Sequence, residues 1–165
     1  MLRLALPAMI FAFCHTANAQ TLTIPDLTQN QPWQPAACNN IPYSQDNCVR
    51  VLACVGDSGV YFDGTARGWD TGPVSGATSI STTCSGEWRN DGPGGTGLSS
   101  LVCSDSTKID VVYYFQDNET GTVIGRGIDS LGRFIRVWSG GNVLEFLTED
   151  GQAVLPCVFG DIPIS

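Results

Sequence analysis

Beyond its N-terminal leader the chain is predicted to be all-β: an antiparallel meander of short strands, forming an open twisted sheet or a barrel and stapled by disulfides. Three observations carry this. Short β-prone runs follow one another from Cys48 to Phe159, separated by glycine, aspartate and asparagine clusters that supply turn chemistry. Several of these runs alternate polar and apolar residues with the period of a strand. An even set of cysteines remains once the leader is removed, as a disulfide framework requires. No segment beyond the leader carries the spacing of an amphipathic helix.

Residues 1–19 have the order of a cleavable secretory signal. Arg3 is the basic residue, Leu4 to Phe13 the apolar stretch, and Ala17-Asn18-Ala19 the small-residue cleavage site. The apolar run is about half the roughly twenty residues that a spanning helix needs, so no integral membrane segment is expected after cleavage. Cys14 follows Phe13, where a lipoprotein signal would place a small residue. Residues 20–47 are polar and contain Pro25, Pro32, Pro35 and Pro42, which predicts an irregular arm tied down at Cys38. A single β domain is expected over 48–165. Its runs are Cys48–Val55, Gly59–Phe62, Ala77–Trp88, Leu98–Cys103, Ile109–Phe115, Thr122–Gly127, Arg133–Trp138, Val143–Leu147 and Ala153–Phe159. Within Arg133–Trp138, alternation sends Arg133, Ile135 and Val137 to one face and Phe134, Arg136 and Trp138 to the other.

Composition excludes whole classes of chemistry. The only histidine, His15, lies in the leader, so the mature domain has no imidazole for Ser-His-Asp or Cys-His catalysis, for a metal site or for a proton shuttle. Loss of Arg3 leaves seven basic residues against sixteen acidic ones, a net charge of about −9. Nucleic acid and anionic membranes repel such a molecule at long range, whereas a basic protein is attracted. Cys38, Cys48, Cys54, Cys84, Cys103 and Cys157 lack metal-site spacing and are expected to form three disulfides, in a pairing the sequence leaves open. No cofactor is implied.

Three segments share a pattern. Tyr61-Phe62-Asp63-Gly64 leads into Trp69-Asp70-Thr71-Gly72 and Gly76, and Cys84-Ser85-Gly86-Glu87-Trp88 leads into Gly92 and Gly97. Gly121-Thr122-Val123-Ile124-Gly125-Arg126-Gly127 leads through Gly132 to Trp138-Ser139-Gly140. Over residues 61–140 this resembles the glycine-patterned hairpins of MORN repeats, although Cys84 stands where that family has an aromatic. The resemblance implies a scaffold or recognition module.

The remaining motifs are each readable as chemistry or as turns. Gly56-Asp57-Ser58-Gly59 copies a serine-protease nucleophile sequence, but Ser58 has no base. Asp70-Thr71-Gly72, with Val123-Ile124-Gly125-Arg126 further on, matches a retropepsin-like aspartic protease. In that class two aspartates from paired subunits share a proton. Glu87 and Asp91 flank Trp88 and are the one carboxylate pair beside an aromatic platform. Asp57 with Asp63, and Asp117 with Glu119, are loop oxygens of the kind calcium takes, without the register of a calcium loop. Asn118-Glu119-Thr120 is a glycosylation sequon. Trp69, Trp88 and Trp138, edged by Arg133 and Arg136, would form a carbohydrate or protein contact strip if displayed on one face, and core if not. The expectation is a secreted or periplasmic, non-catalytic binding or structural domain that recognises a protein through its acidic surface. The alternatives are an aspartic protease using Asp70 and a carbohydrate-binding module.

Overall fold

The computed structural model describes residues 38–164, which fall within one compact unit. The leader over 1–19 and the first part of the arm lie outside the described residues. Among the described residues no helix is long and apolar enough to cross a membrane.

Eight strands run up and down in chain order: β1 (Cys48–Val55), β2 (Val60–Arg67), β3 (Thr71–Thr78), β4 (Thr83–Arg89), β5 (Gly97–Cys103), β6 (Lys108–Gln116), β7 (Val123–Asp129) and β8 (Phe134–Gly140). Each pairs antiparallel with the next, and β8 pairs antiparallel with β1 to close a barrel. An even number of strands in this order brings the first and last together antiparallel, so the closed sheet has no free edge to cap. A four-residue helix, α1 (Val143–Phe146), then leads to β9 (Thr148–Glu149), β10 (Gln152–Cys157) and β11 (Gly160–Pro163), a small separate sheet.

Two expected runs divide differently. Ala77–Trp88 is not one strand: its first residues end β3, a turn with Ser81 at φ +66° intervenes, and β4 takes the rest. Most of β3 was not expected, because Gly72, Pro73 and Gly76 give it poor β-propensity. Pairing with both β2 and β4 overrides that preference. Val143–Leu147, expected as a strand, instead holds α1, whose side chains fold back under the C-terminal sheet. Ala153–Phe159 contains the end of β10 and its turn into β11.

Alternation along each strand builds two cores. Val51, Ala53, Val55, Phe62, Val74, Leu101, Ile109, Val111, Ile135 and Val137 point into the barrel. On the outer wall, Leu52, Cys54 and Trp138 are covered by Val143, Leu147 and Leu155. The three disulfides join Cys38 to Cys48, Cys84 to Cys103 and Cys54 to Cys157. The first holds the arm to β1, the second links register partners on β4 and β5, and the third fastens the C-terminal sheet to the barrel wall.

Candidate functional site at the barrel mouth

The two ends of the barrel differ. Toward the β1–β2 turn the interior is filled, leaving a cavity of about 30 Å³ among mostly aliphatic side chains, with Phe62, Ser99 and Tyr113. At the other end, where the β2–β3, β4–β5 and β6–β7 loops meet the arm, the mouth opens into a cup of about 520 Å³. That lies within the size range of small-molecule sites.

Tyr113 forms the floor, since it lines both the cup and the small cavity beneath. Its register partners on the flanking strands are Gly97 and Gly125. A Cβ on Gly125 would stand 2.9 Å from the Tyr113 ring and 2.9 Å from Val137, so the ring occupies space that only glycine leaves free. Tyr113 and Ser99 share a hydrogen bond of 3.4 Å between their hydroxyls. Burial pushes the Tyr113 hydroxyl above its ordinary pKa, against a smaller opposing effect of Ser99, and the phenol stays neutral. Gly125→Val is expected to cost about 1–3 kcal/mol by overpacking and to drive the ring up into the cup. Urea unfolding of the variant checks the first effect, and tyrosine ring shifts in NMR spectra check the second.

Trp88 faces the same space from β4. Its register partner is Gly72, and the indole Nε1 donates to the Arg67 carbonyl at 2.7 Å, beyond the strand that carries Gly72. After Tyr113 the β6–β7 register shifts, and this bulge leaves Tyr114 and Phe115 half-exposed at the rim. The arm builds the remaining wall with Asn40 and Pro42. Asn47 holds it there: Oδ1 accepts from the Ile41 N–H at 2.8 Å and Nδ2 donates to the Gly68 carbonyl at 3.1 Å.

The chemical character of the cup is uneven in a useful way. Val49, Ala66, Val74 and Val123 give it an apolar depth, while Asn90, Gln116 and Ser139 provide amide and hydroxyl groups. Among the described residues, Asp70 is the one carboxylate in the lining, and no lysine or arginine lines it. Asp70 sits at φ +68° on the exposed β2–β3 turn, and its carboxylate accepts from Asn90 Nδ2 at 2.7 Å. Behind the rim, the backbone N–H and hydroxyl of Thr120 hold the Asp117 carboxyl below its ordinary pKa.

The aromatic residues singled out from the sequence do not share a strip. Trp69 is on the rim, tilted at 45° against Tyr43 with ring centroids 4.7 Å apart, and Trp88 is inside the mouth. Trp138 points outward and is 1 % exposed beneath the C-terminal segment. Arg136 lies on the outer wall over the Trp138 ring, and Arg133 pairs with Asp129 at the far end. Glu87 points outward from β4 on the face opposite to Trp88, and Asp91 is ion-paired with Arg89. Asp63 is held by Arg50, and Ser58 lies in the β1–β2 turn away from the mouth. Among the described residues no three histidine, cysteine or acidic side chains converge as a metal site would require.

No family model matches the chain, and neither a curated protein nor a solved structure matches it. The cup therefore stands on its own geometry. Its central residue, Tyr113, had a signal in the sequence: Ile109, Val111 and Tyr113 alternate with Asp110 and Val112, which places the tyrosine on the inner face. Ser99, Asn47 and Asn90 had none, because each joins the site through a partner far away in the chain.

Proposed function

We propose that this is an exported, non-catalytic binding protein whose barrel mouth takes a small uncharged ligand with a ring, of the saccharide class. The leader pattern and the disulfide set support export into an oxidising compartment, outside the cell or in the periplasm. The observation that carries the ligand reading is the lining itself: aromatic rings and aliphatic depth with convergent amides and, among the described residues, no cation to neutralise an anionic ligand. Sugar rings present an apolar face to aromatics and hydroxyls to amides, which matches such a surface. The expected basic protein partner rests on net charge alone, whereas the cup offers shape and placed polar groups. An Asp70-based protease has less support, since that carboxylate is engaged by Asn90 on an exposed turn.

Titration of tryptophan emission with neutral mono- and disaccharides, and separately with the uncharged fluorophore N-phenyl-1-naphthylamine, tests the reading. Saturable binding that weakens about tenfold in Asn90→Ala and in Trp88→Phe, with unchanged melting, is the expected result. Absence of binding by every probe, or binding indifferent to both substitutions, removes the cup as a ligand site.

A further inference from the structure

The outer wall of β5–β8 has a character opposite to the net charge of the chain. Register pairing places Ser100, Asp110, Ile128 and Phe134 in one outward row, and Leu98, Val112, Arg126 and Arg136 in the next. The C-terminal sheet covers the neighbouring part of this wall, over Leu52 and Trp138, and reaches Arg136 through the Pro156 carbonyl at 3.3 Å. Beyond that point none of the described elements covers the wall. Phe134 is 76 % exposed and Ile128, directly across from it, 50 %.

Arg126 and Arg136 face each other directly across the β7–β8 ladder, an arrangement that costs stability through like-charge repulsion. Among the described residues neither lies within ion-pair distance of a carboxylate. Each guanidinium instead lies over a ring, Arg126 over Tyr114 at 5.6 Å and Arg136 over Trp138 at 4.8 Å. Both heads are thereby positioned at the surface with their charge uncompensated. Two fixed cations beside a pair of exposed apolar side chains fit a ligand with carboxylates next to an apolar anchor.

We infer that the β6–β8 outer wall docks an acidic segment of a partner polypeptide, with Arg126 and Arg136 taking its carboxylates and Ile128 with Phe134 taking an apolar side chain. An anionic bilayer presents the same charge over a wide plane, and the chain's net charge of −8 opposes its approach. A short acidic segment feels chiefly the local field, because charges beyond about 10 Å are screened at ordinary salt. This surface meets the mouth only at Tyr114, under Arg126, and does not rest on what the cup binds.

The probe is a synthetic peptide alternating glutamate with phenylalanine and leucine, followed through amide shifts of the isotope-labelled, disulfide-intact protein. Shifts centred on Val112, Arg126, Ile128 and Phe134 are expected, with affinity reduced about tenfold by Arg126→Glu, by Phe134→Ser and by raised salt. Both substituted side chains are exposed, and unchanged melting of the variants confirms the fold. Equal binding of the lysine counterpart, no shifts on β6–β8, indifference to both substitutions, or preferential binding of phosphatidylglycerol vesicles through these residues would each overturn the inference.

Discussion

Replacing both Cys54 and Cys157 with serine is expected to destabilise the protein by about 4–5 kcal/mol, the largest loss available from any one of its covalent links. The bridge spans 103 residues of sequence, against 19 for Cys84–Cys103 and 10 for Cys38–Cys48. A longer closed loop removes more freedom from the unfolded chain, so the cost of breaking the bridges should follow that order. The folded state loses a fastening as well. Cys54 lies on the outer wall of β1 and Cys157 ends β10, and between them Leu155, fully buried, packs with Leu52 and Trp138. Once the bridge is gone, the C-terminal sheet is held to the barrel by that apolar cluster and the Arg136–Pro156 hydrogen bond. Urea unfolding gives the stability, and tryptophan emission gives the packing, since Trp138 should move toward a water-exposed spectrum at lower denaturant than the barrel unfolds. A larger loss from cutting Cys38–Cys48 than from cutting Cys54–Cys157 would contradict the loop-length account.

The same residues explain how much of this molecule its sequence disclosed. Period-two alternation along Arg133–Trp138 was readable because one side of the strand meets the barrel core, whereas Cys48–Val55 was readable only as a short β-prone run, since both of its faces are buried. Alternation does not say what covers the other side. Trp138 is placed on the outward face by counting, yet its burial depends on Leu155 and Val143, which arrive later in the chain. The β3 strand was obscured because Gly72 and Gly76 serve neighbours rather than their own strand. Gly72 lies opposite Trp88, and a Cβ on Gly76 would collide with the Phe62 ring. The glycines that suggested a repeat thus have a packing role that is invisible without the register. The mouth was hidden for a related reason. Trp69 and Trp88 could be named from composition, but Tyr113, Ser99 and Asn90 come together only through the register of β4, β5 and β6, which the sequence does not state.

Asp129→Asn is expected to cost about 3 kcal/mol at neutral pH, by leaving the Arg133 guanidinium without its buried partner. The carboxylate has no solvent exposure. Its Oδ1 accepts from the backbone N–H groups of Leu131 and Arg133, each at 2.9 Å, and its Oδ2 from Arg133 Nε at 2.6 Å. Burial alone would raise its pKa. The Arg133 backbone N–H and guanidinium, with the Leu131 N–H, more than offset burial and hold the carboxyl below its ordinary value. A carboxyl depressed in the folded state stabilises above the unfolded-chain value of about 3.9, and that stabilisation disappears as pH falls through the lower folded value. Wild type and Asp129→Asn should therefore differ most at neutral pH and converge in acid, as measured by urea unfolding across the acid range. A gap that stays constant with pH would show that the amide disturbs packing rather than charge. The position of Arg133 sharpens the expectation. Its aliphatic stem passes Gly56, where an added Cβ would come within 3.4 Å of it, and the Gly56 N–H donates to the Phe134 carbonyl at 2.8 Å. The ion pair fixes the β7–β8 turn, and the Arg133 stem and the Gly56–Phe134 hydrogen bond set that turn beside the β1–β2 turn at the filled end of the barrel. Arg133, considered from the sequence as an edge of a contact strip, acts as a latch there, and Asp129→Asn should loosen both turns together, visible as faster amide exchange at Gly56 and at Gly132 alike.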